Sequence, residues 1–131
     1  MAANTSPIFT LTPVVGLVAI ATANTGRDGT GVIGTVLTAG TNGTRITRIT
    51  IKATITTTAG MVRLWIHNGT TYFLWKEILV TAITASATVA TFEFIVEFLG
   101  ERAITLPSGY SLRASTEKAE NLNVTSEGGD Y

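Results

Sequence analysis

Strict alternation of apolar and polar residues recurs along the chain, and that period of two predicts strands. The clearest case is Arg45 to Thr58. Ile49, Ile51, Ala53 and Ile55 fall on one face, and Arg48, Thr50, Lys52, Thr54 and Thr56 fall on the other. Thr91 to Phe98 repeats the pattern, with Phe92, Phe94, Val96 and Phe98 opposite Glu93, Ile95 and Glu97. Met61 to Val80, MVRLWIHNGTTYFLWKEILV, reads as a hairpin: two apolar runs flank His67-Asn68-Gly69-Thr70. Asn-Gly is suited to a type I′ turn because both residues tolerate positive φ. A turn centred on Asn68-Gly69 places Ile66 opposite Thr71, Leu64 opposite Phe73 and Val62 opposite Trp75. A four-residue loop from Asn68 to Thr71 keeps the same two faces, and a three-residue loop swaps the partners of one strand. Val62, Leu64, Ile66, Phe73 and Trp75 then form the core face. Glu77 shares their parity, so a bulge, a strand end near Lys76 or a shifted pairing is expected before Leu79.

The opposite hairpin face carries Arg63, Trp65, Tyr72, Leu74 and Lys76. Its two aromatic rings and leucine need cover from a second sheet, an N-terminal arm or another subunit. Shorter strands are expected at Val14 to Thr22, Val32 to Thr38, Ile104 to Leu106, Tyr110 to Ser115 and Asn121 to Thr125, with turns rich in Gly, Asn and Pro between them. Pro13 confines any strand containing it to an edge. The expected organisation is an arm over residues 1–7, one domain over 8–125 and a Gly-containing tail over 126–131.

The pattern predicts an all-β protein, an antiparallel β-sandwich of seven to nine strands with a jelly roll as one form of it; a small closed barrel is the structural alternative. Composition agrees. The 131 residues suit one domain, and the 25 threonines favour strands through their branched Cβ. Nine basic residues balance nine acidic ones. A neutral, sparsely charged surface offers little steering toward nucleic acid and little charge-based solubility, which suits a surface covered in an assembly. With no cysteine, disulfides and thiolate metal sites are excluded. The N-terminus lacks a signal-peptide pattern, and Val14 to Ala23 is too short to span a bilayer.

Chemistry-bearing motifs are sparse. Ala23 to Gly34, ANTGRDGTGVIG, is a glycine-rich loop around Arg27 and Asp28, but no Gly-Lys-Ser/Thr or following helix makes it a phosphate loop. His67 is the single histidine and lacks the partners of a zinc site. Glu93 and Glu97 lie about 13 Å apart along an extended strand, too far to share a proton. No catalytic triad, metal cluster or cofactor motif is legible, so a non-enzymatic role without a cofactor is expected.

Three stretches carry a resemblance: ANTGRDGTG at Ala23 to Gly31, TAGMVRLWIHN at Thr58 to Asn68, and LPSGYSLRAST at Leu106 to Thr116. Together they resemble a family of small phage-encoded proteins whose genes typically neighbour those of virion structure, and the likeness runs from about Ile8 to the C-terminus. That resemblance implies a head or tail component, foremost a capsid decoration or cement protein on the outer capsid surface. Its partners would be the major capsid protein and further copies of itself, with a trimer as one form, and neither nucleic acid nor membrane. A tail or baseplate component and a carbohydrate- or receptor-binding module are the alternatives. The candidate interface residues are Ile8, Phe9 and Leu11 in the arm, Arg27 and Asp28 in the loop, Trp65, Tyr72 and Leu74 on the hairpin, and Tyr131.

Overall fold

The computed structural model describes residues 9–98 and 103–131. Among the described residues nine strands form two antiparallel sheets packed face to face: β1 (Thr12–Ile20), β2 (Gly34–Thr38), β3 (Thr44–Ala53), β4 (Gly60–His67), β5 (Tyr72–Val80), β6 (Glu93–Glu97), β7 (Ile104–Leu106), β8 (Ser111–Thr116) and β9 (Leu122–Asp130). One sheet has the order β1-β9-β3-β6, with β7 also on β3; the other has the order β2-β8-β4-β5. The pairing is nested: β4 with β5, β3 with β6 and β7, β2 with β8, and β1 with β9. The β-sandwich expected from the alternation is therefore the observed architecture.

The core lies between the sheets. Ile46, Ile49 and Ile51 of β3 and Leu122 and Val124 of β9 face Val62 and Leu64 of β4 and Leu112 and Ala114 of β8. Three bulges correct the simple alternation. In β3 the register with β9 shifts between Ile46 and Arg48, so Thr44 and Ile46 point inward on one side of Thr47 and Ile49, Ile51 and Ala53 on the other. In β2 the shift between Thr35 and Leu37 lets both Val36 and Leu37 be buried. In β5 the extra residue is Trp75, the irregularity that the parity of Glu77 demanded. Ile55, assigned to the core face by alternation, lies beyond the end of β3 and is exposed.

The hairpin turn is the four-residue form. His67 pairs with Tyr72, Ile66 with Phe73 and Trp65 with Leu74. Gly69 has φ of +99° while Asn68 stays at negative φ, so the turn is not type I′. The Asn68 side chain supplies the reason: its Oδ1 accepts from the backbone N–H groups of Thr70 (3.0 Å) and Thr71 (2.8 Å), holding a wider loop. Phe73, expected in the core, is 53% exposed near the turn.

Residues 126–130, expected as a tail, are instead the second half of β9, hydrogen-bonded between β1 and β3. Tyr131 continues the attachment by donating its N–H to the Gly43 carbonyl at 3.1 Å. The glycines that suggested flexibility serve close approach. A Cβ on Gly128 would lie 1.9 Å from the Arg45 carbonyl oxygen, and one on Gly129 would lie 2.4 Å from Thr10 Oγ1. Pro13 sits within β1, opposite Gly129, on the edge strand to which its missing N–H confines it.

Gly128→Ala should therefore lower unfolding free energy by more than about 2 kcal/mol, as backbone overpacking in a doubly paired strand. Gly109→Ala, with open space around its Cβ but φ of +86°, should cost about 1 kcal/mol. Urea denaturation of the two variants checks the difference.

Candidate functional site

The residues singled out on the hairpin gather on the outer face of the β2-β8-β4-β5 sheet. On β4, Val62 and Leu64 point into the core, so Arg63 and Trp65 point away from it. Both are nonetheless buried, Trp65 at 1% exposure and Arg63 at 0%. Trp65 lies between Leu74 of β5 and Arg113 of β8 in the sheet register. Its indole N–H donates to Ser115 Oγ at 3.0 Å, and Tyr72 meets it edge-on with ring centres 6.3 Å apart.

The glycine-rich loop attaches to the same face. Asn24, just after an isolated bridge between Ala23 and Thr116, donates its N–H to the Thr116 carbonyl at 2.8 Å. Its side chain then shapes the loop: Nδ2 donates to the carbonyls of Thr30 (2.9 Å) and Val32 (3.1 Å), and Oδ1 accepts from Gly26 N–H (3.0 Å). A Cβ on Gly31 would strike that amide at 2.8 Å, so this loop conformation requires glycine there. Three points around Trp65 receive the loop. The Asn24 carbonyl accepts from Arg63 Nη1 at 3.3 Å. Arg27 Nε lies 3.0 Å from both Glu77 carboxylate oxygens. Gly29, at φ +86°, lies against the Tyr72 side chain. Trp65 is thus buried within its own chain, with the loop fastened beside it at Arg63, Glu77 and Tyr72. Sequence parity located the face; it did not identify the segment that crosses it.

Charges gather beside this loop. Glu77 is the cross-strand partner of Arg63 and lies 3.6 Å from its Nε; Glu117 lies 3.9 Å from its Nη2. Arg63 Nε has no hydrogen-bond partner. Nearer the surface, Thr30 donates its hydroxyl (2.7 Å) and N–H (3.2 Å) to Asp28, which holds the Asp28 carboxyl below its usual pKa. Arg27 and Asp28, grouped as one contact candidate, do not pair with each other in these interactions; Arg27 engages Glu77 and Asp28 engages Thr30.

At the open end of the same face, His67 and Tyr72 have ring centres 4.3 Å apart. The Arg113 guanidinium sits 5.6 Å from the Tyr72 ring centre and donates to Tyr72 Oη at 3.4 Å. Tyr72 is half-buried and Leu74 borders on exposed. The remaining interface candidates lie elsewhere. Phe9 and Leu11 precede β1 and are 77% and 84% exposed; Tyr131 is half-buried, and Ile8 lies outside the described residues. Val15 and Leu17, passed over as interface candidates, extend the exposed apolar run along β1 at 60% and 69%. Their parity with Pro13 and Leu11 was the available signal.

The other sheet's outer face carries matched charges. Arg48 donates to Glu97 at 2.8 Å, which raises the Arg48 pKa, and Lys52 pairs in register with Glu93. Among the described residues no group of three His, Asp or Glu side chains is placed to hold a metal ion, and no helix is long and apolar enough to cross a membrane.

No protein-family model and no curated protein matches the chain. Among solved structures, the chain is similar to a crystal structure of a pentameric capsid protein isolated from metagenomic phage sequences, at 13% identity and a TM-score of 0.40. The likeness covers 94% of this chain and 63% of that one, so the chain spans less than two thirds of that protein.

Trp65→Ala should destabilise the fold by about 3–5 kcal/mol, as loss of a buried indole. Arg27→Ala removes an exposed ion pair and should cost under about 1 kcal/mol. Chemical denaturation measures both, and near-equal effects would contradict the burial of Trp65.

Proposed function

We propose that the chain is a virion structural protein of jelly-roll topology, acting as a capsid decoration or cement protein through contacts with the major capsid protein and with further copies of itself, a trimer being one such form. The observation that carries this reading is the exposed apolar run from Phe9 and Leu11 through Val15 and Leu17, along an edge strand of the sandwich. An apolar strip of this kind marks a surface that an assembly covers. The nested strand pairing supports the reading, because eight-stranded jelly rolls pair in this order when β6 and β7, both on β3, count as one interrupted strand. Viral capsid domains recurrently use that architecture. The resemblance of the three sequence stretches to small phage-encoded proteins points the same way.

The electrostatics favour protein contacts over genome binding. Arg48 and Lys52 face Glu97 and Glu93, so the outer face of the β1-β9-β3-β6 sheet is no basic track for phosphates. The burial of Trp65 weighs against a carbohydrate platform built on Trp65 and Tyr72, since stacking on a sugar needs an accessible ring. The role is adhesive and non-catalytic, on the outside of the head; a tail or baseplate position is the nearer alternative.

Purified virions should contain many copies of the protein on the head surface. Absence from virions overturns the reading, and a few copies on the tail alone moves the protein there. The double variant Leu11→Ser, Leu17→Ser should keep its far-UV circular dichroism and lose attachment to particles by tenfold or more, about 1.4 kcal/mol. Undiminished attachment would reject this strip as the contact surface.

A further inference from the structure

We infer that Asn68-Gly69 is a self-modifying site, whose turn promotes cyclisation of Asn68 to a succinimide and hydrolysis of that ring to aspartate and isoaspartate. The chain contains the tripeptide Asn-Gly-Thr twice, at Asn42 to Thr44 and at Asn68 to Thr70. Both copies have the groups this reaction needs: a carboxamide followed by a glycine, whose missing side chain lets its amide nitrogen approach closely. The fold treats the two copies differently. In the first, Gly43 is buried. Its N–H donates to the Gly40 carbonyl at 3.0 Å, and its own carbonyl accepts from Tyr131 N–H at 3.1 Å. That glycine is held on both sides, and the group facing its N–H is a carbonyl, which is no base. In the second, Gly69 is exposed and its N–H donates to His67 Nδ1 at 3.3 Å. An imidazole nitrogen that accepts a hydrogen bond carries a free lone pair and can take the proton.

The other side of the turn serves the same step. Asn68 Oδ1 accepts from Thr70 N–H at 3.0 Å, Thr71 N–H at 2.8 Å and Thr70 Oγ1 at 3.1 Å. Three donors converge on the oxygen that becomes negative when the Gly69 nitrogen adds to Asn68 Cγ, and fixed donors at a developing oxyanion lower the barrier. The Gly69 nitrogen forms its bond to Cγ as its proton passes to His67 Nδ1. The tetrahedral intermediate then breaks its Cγ–Nδ2 bond, and Nδ2 leaves with that proton as ammonia. One water opens the resulting five-membered imide. Cleavage between the Gly69 nitrogen and Cγ gives aspartate at position 68; cleavage between that nitrogen and the backbone carbonyl carbon of residue 68 gives isoaspartate. Nothing is oxidised or reduced. Either product puts a new carboxylate at the open end of the sheet face, where the His67 and Tyr72 rings lie 4.3 Å apart and Arg113 sits 5.6 Å from the Tyr72 ring centre.

Trypsin separates the two sites, because Arg27 and Arg45 bracket Asn42 while Arg63 and Lys76 bracket Asn68. The folded full-length chain is aged at neutral pH, digested and followed by mass spectrometry with chromatographic separation of the products. Conversion at Asn68 should run about tenfold or more faster than at Asn42, and should yield both aspartate and isoaspartate. In urea the two rates should converge, since the tripeptides are identical and only the fold distinguishes them. His67→Gln, with far-UV circular dichroism unchanged, should slow conversion at Asn68 by about tenfold or more and leave Asn42 as it was. Equal rates at the two sites of the folded chain, a preference for Asn68 that persists in urea, aspartate as the sole product, or an unslowed His67→Gln variant each overturns the proposal.

Discussion

Strand β4 is buried on both faces, and that constraint organises the molecule. An antiparallel sheet in a two-layer sandwich ordinarily gives one face to the core and one to water. β4 instead sends Val62 and Leu64 inward and Arg63 and Trp65 into a second covered layer. An indole and a guanidinium on the outer face cannot both be dry without a roof. The loop after β1 attaches to this face at Thr116, Arg63, Glu77 and Tyr72. Gly29 lies against Tyr72 at φ +86° and Gly31 against the Asn24 amide at φ +82°, backbone conformations that favour glycine. The loop is held mainly by hydrogen bonds and charge, and the sandwich beneath it by apolar burial.

The opposite sheet is organised by β9, hydrogen-bonded on both sides to β1 and β3. Its last residues draw the neighbouring turns together. Thr44 Oγ1 donates to the Asp130 carboxylate and accepts from Gly40 N–H, while the Asp130 carbonyl accepts from Leu11 N–H at 2.7 Å. Gly128 and Gly129 permit this crowding because their missing side chains leave room for the Arg45 carbonyl and Thr10. Leu11 is pinned at its backbone by this bond while its side chain stays exposed.

Legibility in the sequence followed locality. Alternation in β3, the Asn68-Gly69 punctuation and the parity of Glu77 are properties of neighbouring residues, and they led to the right strands, the right hairpin and a bulge in β5. The same reasoning failed where a distant segment set the outcome. Ser126 to Asp130 looked like a tail because Glu-Gly-Gly-Asp has poor strand propensity, yet two flanking strands supply hydrogen bonds that override it. Phe73 had the parity of the core but sits beside a turn, beyond the reach of the opposing sheet.

The candidate site divides the same way. By itself the sequence determined antiparallel strands and a doubly apolar hairpin needing cover, because the period of two is dictated by the pleat and holds in a sandwich or a barrel built from these strands. Tertiary structure alone decided what covers Trp65. The placement of the glycine-rich loop on this face rests on Asn24 meeting Thr116 and Arg63, and Arg27 meeting Glu77, pairs separated by 39 to 92 residues in the chain. No local pattern encodes such a meeting, because it exists only once both sheets have set the distance between its partners.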